Sequence, residues 1–132
     1  MTDLGVILKR FDDPDEVRAM TRGRLELVRV GEMTIGRATY QPGWRWSVDV
    51  GPSAGAQRCD VEHVGLVLEG TAAVGFDDGR VIELTAGSLF HVPSVPHDSW
   101  VVGTRQYVSL HFMGAERYAK PAGAGPAPSR ER

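Results

Sequence analysis

The chain has 132 residues, enough for one domain, with 42% hydrophobic and 24% charged residues, the balance of an ordinary globular protein. A net charge of −2 without a long basic run excludes an electrostatic nucleic-acid footprint, and a lone cysteine excludes an internal disulfide and argues for a reducing compartment. Apolar runs such as Val64 to Leu68 are too short to span a bilayer, and the opening MTDLGVILKRF lacks the pattern of a secretory signal, so a soluble cytoplasmic protein is expected.

Gly and Pro make up 24 of the 132 residues, well above the usual roughly 12%. That excess predicts many tight turns and a mostly β architecture. Residues 1–24 read as a lead-in or arm. Within it, Asp13-Pro14-Asp15-Glu16 carries helix-start signals, so one short helical turn is expected before Gly23. Strands are then predicted at 25–30, 33–40, 44–50, 63–68, 71–76, 81–84, 89–92, 99–102 and 107–112. Asp78-Gly79 between two apolar runs is a strong hairpin signal. Strand spacing of this kind predicts an antiparallel sandwich or barrel over 25–116. Residues 117–132, rich in Pro, Ala, Gly and charge, read as a disordered tail.

The residues that carry chemistry cluster in two segments. Gln57 and Cys59 are two apart and would share a face of an extended chain, with His63 four further on. His97 follows the Pro-rich corner Pro93-Ser94-Val95-Pro96. The spacing Gly51, five residues, Gln57-x-Cys59, three residues, His63, six residues, Gly70 resembles the first motif of the cupin superfamily, which has His-x-His and Glu at the ligand positions. Gly87, five residues, Pro93, then His97 one residue early, resembles the second motif, with Val95 in place of its Gly and Val101 near its Asn. Every spacing of the first motif fits and every ligand type is changed. The resemblance spans about residues 34–112 and implies a single antiparallel cupin-type (jelly-roll) β-barrel.

The resemblance also implies a metal site. His97 takes the second-motif His position, His63 the Glu position, Cys59 the second His and Gln57 the first. Two imidazoles and a thiolate make a three-ligand set suited to a divalent ion (Zn, Fe, Ni, Cu or Mn), with Zn favoured by the sulfur. Plainer readings stand beside these. A lone Cys is often a small buried apolar side chain, and Gln57 is as readily a pocket donor. His91 reads as a surface or structural histidine, and Asp98 reads as facing away from His97. Trp44 and Trp46 read as sharing a strand face, either packed over a barrel edge or lining a substrate cavity, with Trp46, His111 and Tyr107 as the pocket candidates. Trp100 reads as packed outside the barrel, and Tyr40 and Tyr107 as half-buried phenols able to donate protons.

Two functions are carried forward. One is a metal-dependent enzyme acting on a small organic molecule, of lyase, isomerase, cyclase or dioxygenase type. The other is a non-catalytic cupin module that binds a small molecule or metal as a sensor or accessory protein. The expected partners are a small-molecule ligand or substrate and a second copy of the chain, with residues 4–11 as the arm of a homodimer, and neither nucleic acid nor membrane.

Overall fold

The computed structural model describes residues 4–120. Nine strands occur among them: β1 (Glu16–Met20), β2 (Gly23–Val30), β3 (Met33–Tyr40), β4 (His63–Glu69), β5 (Thr71–Phe76), β6 (Val81–Thr85), β7 (Leu89–Val92), β8 (His97–Val102) and β9 (Tyr107–Met113). Two short helices, α1 (Trp46–Asp49) and α2 (Gly51–Ala54), lie between β3 and β4. The strands form a six-stranded sheet, β1-β2-β3-β9-β4-β7, and a three-stranded sheet, β6-β5-β8, with every pair antiparallel. The all-β architecture is as expected. The sheets do not close into a barrel among the described residues.

Turn chemistry places most strands where the sequence predicts them. At the β5–β6 hairpin Gly79 adopts φ +93°, Phe76 N–H donates to the Arg80 carbonyl at 2.9 Å, and Asp78 accepts from the Arg80 amide at 3.0 Å. Strands β3, β5 and β7 have the predicted bounds, and the others differ by one or two residues at an end.

Two local expectations fail. The helical turn near Asp13–Met20 is instead β1, whose residues pair with Gly23–Leu27 of β2. The neighbouring strand supplies ladder partners for its backbone from Glu16 to Met20, which a lone helical turn would leave unmet. The strand expected at 44–50 is α1 and the start of α2. Trp46 and Val50 suit both a strand and a helix, because they are two apart twice over and also four apart. Tertiary partners decide. Asp98 accepts from Ser47 N–H at 2.9 Å and Asp49 from Arg45 N–H at 2.9 Å, capping orphan donors of a helical turn. Trp46 and Val50 are buried while Val48 points to solvent.

The core includes Leu25 and Leu27 of β2, Ala38 and Tyr40 of β3, Trp44, Val67 of β4 and Tyr107 of β9. Each buried Leu contributes about 2 kcal/mol. Tyr40 and Trp44 stack with centroids 3.7 Å apart and planes 3° from parallel. Tyr118, at the start of the predicted tail, is also in this core, while residues 121–132 of that tail lie outside the described residues.

Candidate metal centre

Cys59, His63 and His97 meet at a junction between the sheets. Cys59 precedes β4 and forms an isolated antiparallel bridge with His97, the first residue of β8. The backbone bonds Cys59 N–H to His97 O and His97 N–H to Cys59 O are both 2.9 Å. His63 opens β4 in the larger sheet. The donor atoms of the three residues lie within 4.8 Å of one another, and all three side chains are buried.

Cys59 Sγ is 3.6 Å from His63 Nε2. Tetrahedral coordination with Zn–S and Zn–N bonds of ordinary length requires a separation of about 3.6 Å. His97 Nδ1 donates to the Val95 carbonyl at 2.8 Å, which leaves its Nε2 lone pair for a ligand and orients the ring as outer-shell bonds orient metal-binding histidines. His63 Nδ1 and His111 Nδ1 are buried without a hydrogen-bond partner among the described residues. An orphaned buried polar atom costs about 1–3 kcal/mol, so such atoms are rare unless a ligand or ion meets them. The three residues fit a metal ion: the group could hold one divalent cation.

Burial dominates the electrostatics. It pushes His63 down to about 2, with His111 and His97 adding to the shift, and His111 down to about 4. His97 is also lowered by burial, against the opposing Val95 hydrogen bond. The Cys59 thiol is raised to about 11 by burial. The candidate ligands His63 and His97 are therefore neutral near pH 7, the state in which imidazole binds metal.

Beside the group lies a cavity of about 40 Å³, room for roughly three water molecules. Among the described residues no Lys, Arg, Asp or Glu lines it. His111, Tyr107, Tyr40 and Trp44 are in its wall. His111, in β9, pairs with Gly36 on one side and Gly65 on the other, so neither cross-strand neighbour crowds it with a side chain. Its Nε2 lies 3.1 Å from Ser109 Oγ.

Two candidate residues, Gln57 and Trp46, lie elsewhere, as do His91, Asp98 and Trp100, which the sequence reading set apart from the site. Gln57 is exposed on a surface groove beside α2, because the chain turns between it and the Cys59 bridge. Trp46 packs in the core from α1 and does not line the cavity, and it shares no strand with Trp44. His91 pairs with Glu62 at 2.7 Å on the surface. Asp98 is spent on Ser47 and Arg45, and Trp100 lies under the Arg45 guanidinium at 4.4 Å. Sequence reasoning missed Tyr118, whose ring stacks on His111 at 5.6 Å and meets His63 edge-on at 4.9 Å. Its one signal is an aromatic residue standing just before the Pro- and Gly-rich run.

Neither a family model nor a curated protein matches the sequence. Solved structures do match by shape. A protein of unknown function from Rhizobium leguminosarum has a TM-score of 0.57 at 19% identity, over 80% of this chain and 93% of that one. Peruvianin-I, a cysteine peptidase from Thevetia peruviana latex, has a TM-score of 0.56 at 22% identity, over 92% and 77%. The formate complex of Lactobacillus farciminis oxalate decarboxylase has a TM-score of 0.53 at 16% identity, over 75% of this chain. The chain spans only 30% of the length of that decarboxylase. At these identities the likeness speaks for architecture alone, and by architecture the chain is an all-β protein of cupin-type fold.

Proposed function

We propose that this protein holds one divalent metal ion through Cys59, His63 and His97 and acts on a small organic molecule beside it. The observation that carries the reading is the convergence of three buried donor atoms within 4.8 Å, from β4, from β8 and from the segment bridged to β8. A thiolate and two imidazoles favour zinc among the candidate ions. Such an ion, when bound, supplies a Lewis acid and an activated water. The chain's own residues do the rest. His97 is held in one tautomer by the Val95 carbonyl, and the apolar walls contributed by Val74, Phe90 and Val92 limit water. His111 presents an unpartnered Nδ1 for a bound molecule.

A cysteine-nucleophile chemistry of the kind named for peruvianin-I has less support. With the thiol raised to about 11 and His63 lowered to about 2, the pair rests neutral, the reverse of an activated thiolate beside an imidazolium.

One observation favours the second reading, a non-catalytic metal- or ligand-binding module. The cavity of about 40 Å³ is far below the roughly 300–1,000 Å³ of a drug-sized ligand site. The enzyme reading therefore requires a substrate of few heavy atoms or a wall that moves. Elemental analysis of the purified protein, alone and after reconstitution with Zn, Fe, Ni, Cu or Mn, tests the site. One metal per chain, lost in His63→Ala and His97→Ala, is expected. Failure of every ion to bind overturns the proposal.

We infer a second copy of the chain as partner. Leu4, Val6 and Leu8 in the lead-in are 83%, 73% and 89% exposed, an apolar run suited to burial against another protomer. Light scattering on the full chain and on a Leu4→Asp, Leu8→Asp variant tests this, with a dimer that dissociates as the expected result.

A further inference from the structure

Tyr118 reaches the cavity from outside the sheets. Beyond β9 the chain folds back at Gly114, where Tyr118 N–H donates to the Gly114 carbonyl at 3.0 Å and Arg117 N–H donates to the same oxygen at 3.2 Å. On the inner side the Tyr118 hydroxyl oxygen accepts from the Tyr40 hydroxyl at 2.7 Å, and the Tyr118 ring covers His111 and His63. On the outer side lies Arg18 of β1, whose side chain is 6% exposed. Its Nη1 donates to the Tyr118 carbonyl at 2.7 Å and to the Ala115 carbonyl at 3.4 Å. Its Nε and Nη2 donate to Glu16 at 2.7 Å and Glu116 at 3.4 Å, and Glu116 also accepts from Arg29 and Thr34.

A buried guanidinium is costly unless its donors are met, and this one meets the two carbonyls of a single short turn. The other walls of the cavity differ in kind. Most belong to β3, β4, β5, β7, β8 and β9, which ladder hydrogen bonds hold. Among the described residues the turn has no ladder partner, so its local opening breaks no ladder hydrogen bond.

We propose that Arg18 is a positioning residue for Tyr118, and that the turn from Gly114 to Ala119 is the wall through which the cavity opens. What enters the cavity depends on the metal reading above. The positioning role rests on contacts that need no metal.

Cys59, the one cysteine of the chain and 2% exposed, has its Sγ 3.6 Å from Nε2 of His63, the cavity-lining ring that Tyr118 covers, so its reactivity is the readout chosen for the opening of this wall. The experiment is the rate of its modification by Ellman's reagent in the metal-free full-length protein, well below the melting temperature. Loss of a buried charge-assisted hydrogen bond in Arg18→Met is expected to speed modification about tenfold or more. Tyr118→Ala is expected to do the same, and the double variant to be no faster than Tyr118→Ala, because Arg18 acts through that side chain. Arg18→Lys, which retains the charge and one donor, is expected to fall between, and it carries the test where Arg18→Met does not fold. Arg37→Met breaks an ion pair to buried Glu26 on another part of the sheet and controls for general destabilisation. Wild-type rates in both Arg18 variants, multiplicative effects in the double variant, or equal acceleration in Arg37→Met each overturn the proposal. A protein that takes up no metal yet gives the expected rates removes the metal reading and leaves the positioning role standing.

Discussion

Cys59 and His97 exchange both backbone hydrogen bonds at 2.9 Å, although 38 positions separate them in the chain. This bridge sets two candidate ligands opposite each other in a hydrogen-bonded antiparallel pair, with side chains on one face. The ligand group is thus tied to the backbone of β8 before any ion arrives, and little ordering remains for a metal to impose.

Ligand loss should be graded by this geometry. Cys59→Ser keeps the bridge, because only the side chain changes, but removes the soft donor. Zinc affinity is expected to fall by more than the roughly 10–100-fold typical of second-shell changes. Competition with a chromophoric chelator measures it. Affinity equal to wild type would demote Cys59 to a packing residue.

Stability of the metal-free protein should fall with pH in a window that histidines define. In the folded state His63 sits near 2 and His111 near 4, against an ordinary value of 6.5. Between those values the unfolded chain binds more protons, so unfolding becomes easier as pH falls from about 6.5. The carboxylates held low by arginine partners, Glu26 among them, add the same sign only below their ordinary range near 4.5. Urea titrations between pH 7 and 5 therefore isolate the imidazoles. His63→Gln should flatten the slope in that interval, and an unchanged slope would contradict a neutral buried His63.

Ser109→Ala removes the only hydrogen-bond partner found for the His111 ring among the described residues. A loss of about 1–3 kcal/mol is expected, because the imidazole is left with no bonded nitrogen inside the core. Denaturant unfolding gives the number directly. A neutral outcome would mean that water replaces the hydroxyl.

Two glycines with positive φ should respond unequally to alanine. Gly79 has φ +93° with open space around a built Cβ, so Gly79→Ala should cost only the backbone penalty of about 1–2 kcal/mol. Gly114 has φ +89°, and its Cβ would press on the Glu62 carbonyl, so Gly114→Ala should cost clearly more. Thermal unfolding of the pair checks the ranking. Equal losses would show that the turn after β9 yields freely.

By itself the sequence determined most of the strands and the turns that end them, because apolar period and turn chemistry are local properties, while Cys59, His63 and His97 were singled out by motif spacing that resembles a family pattern. It could not decide between strand and helix for Trp46 and Val50, whose spacing fits both. The carboxylates of Asp98 and Asp49 decided that by capping the helical turn. Alternation also placed Gln57 beside Cys59, whereas the chain leaves extended geometry just before the Cys59 bridge and Gln57 faces solvent. Tyr118 was invisible for a different reason. Its place over His111 depends on Arg18, 100 residues earlier, gripping the turn that carries it. Contacts of that range are created by strand pairing, and only the folded sheets bring them within reach.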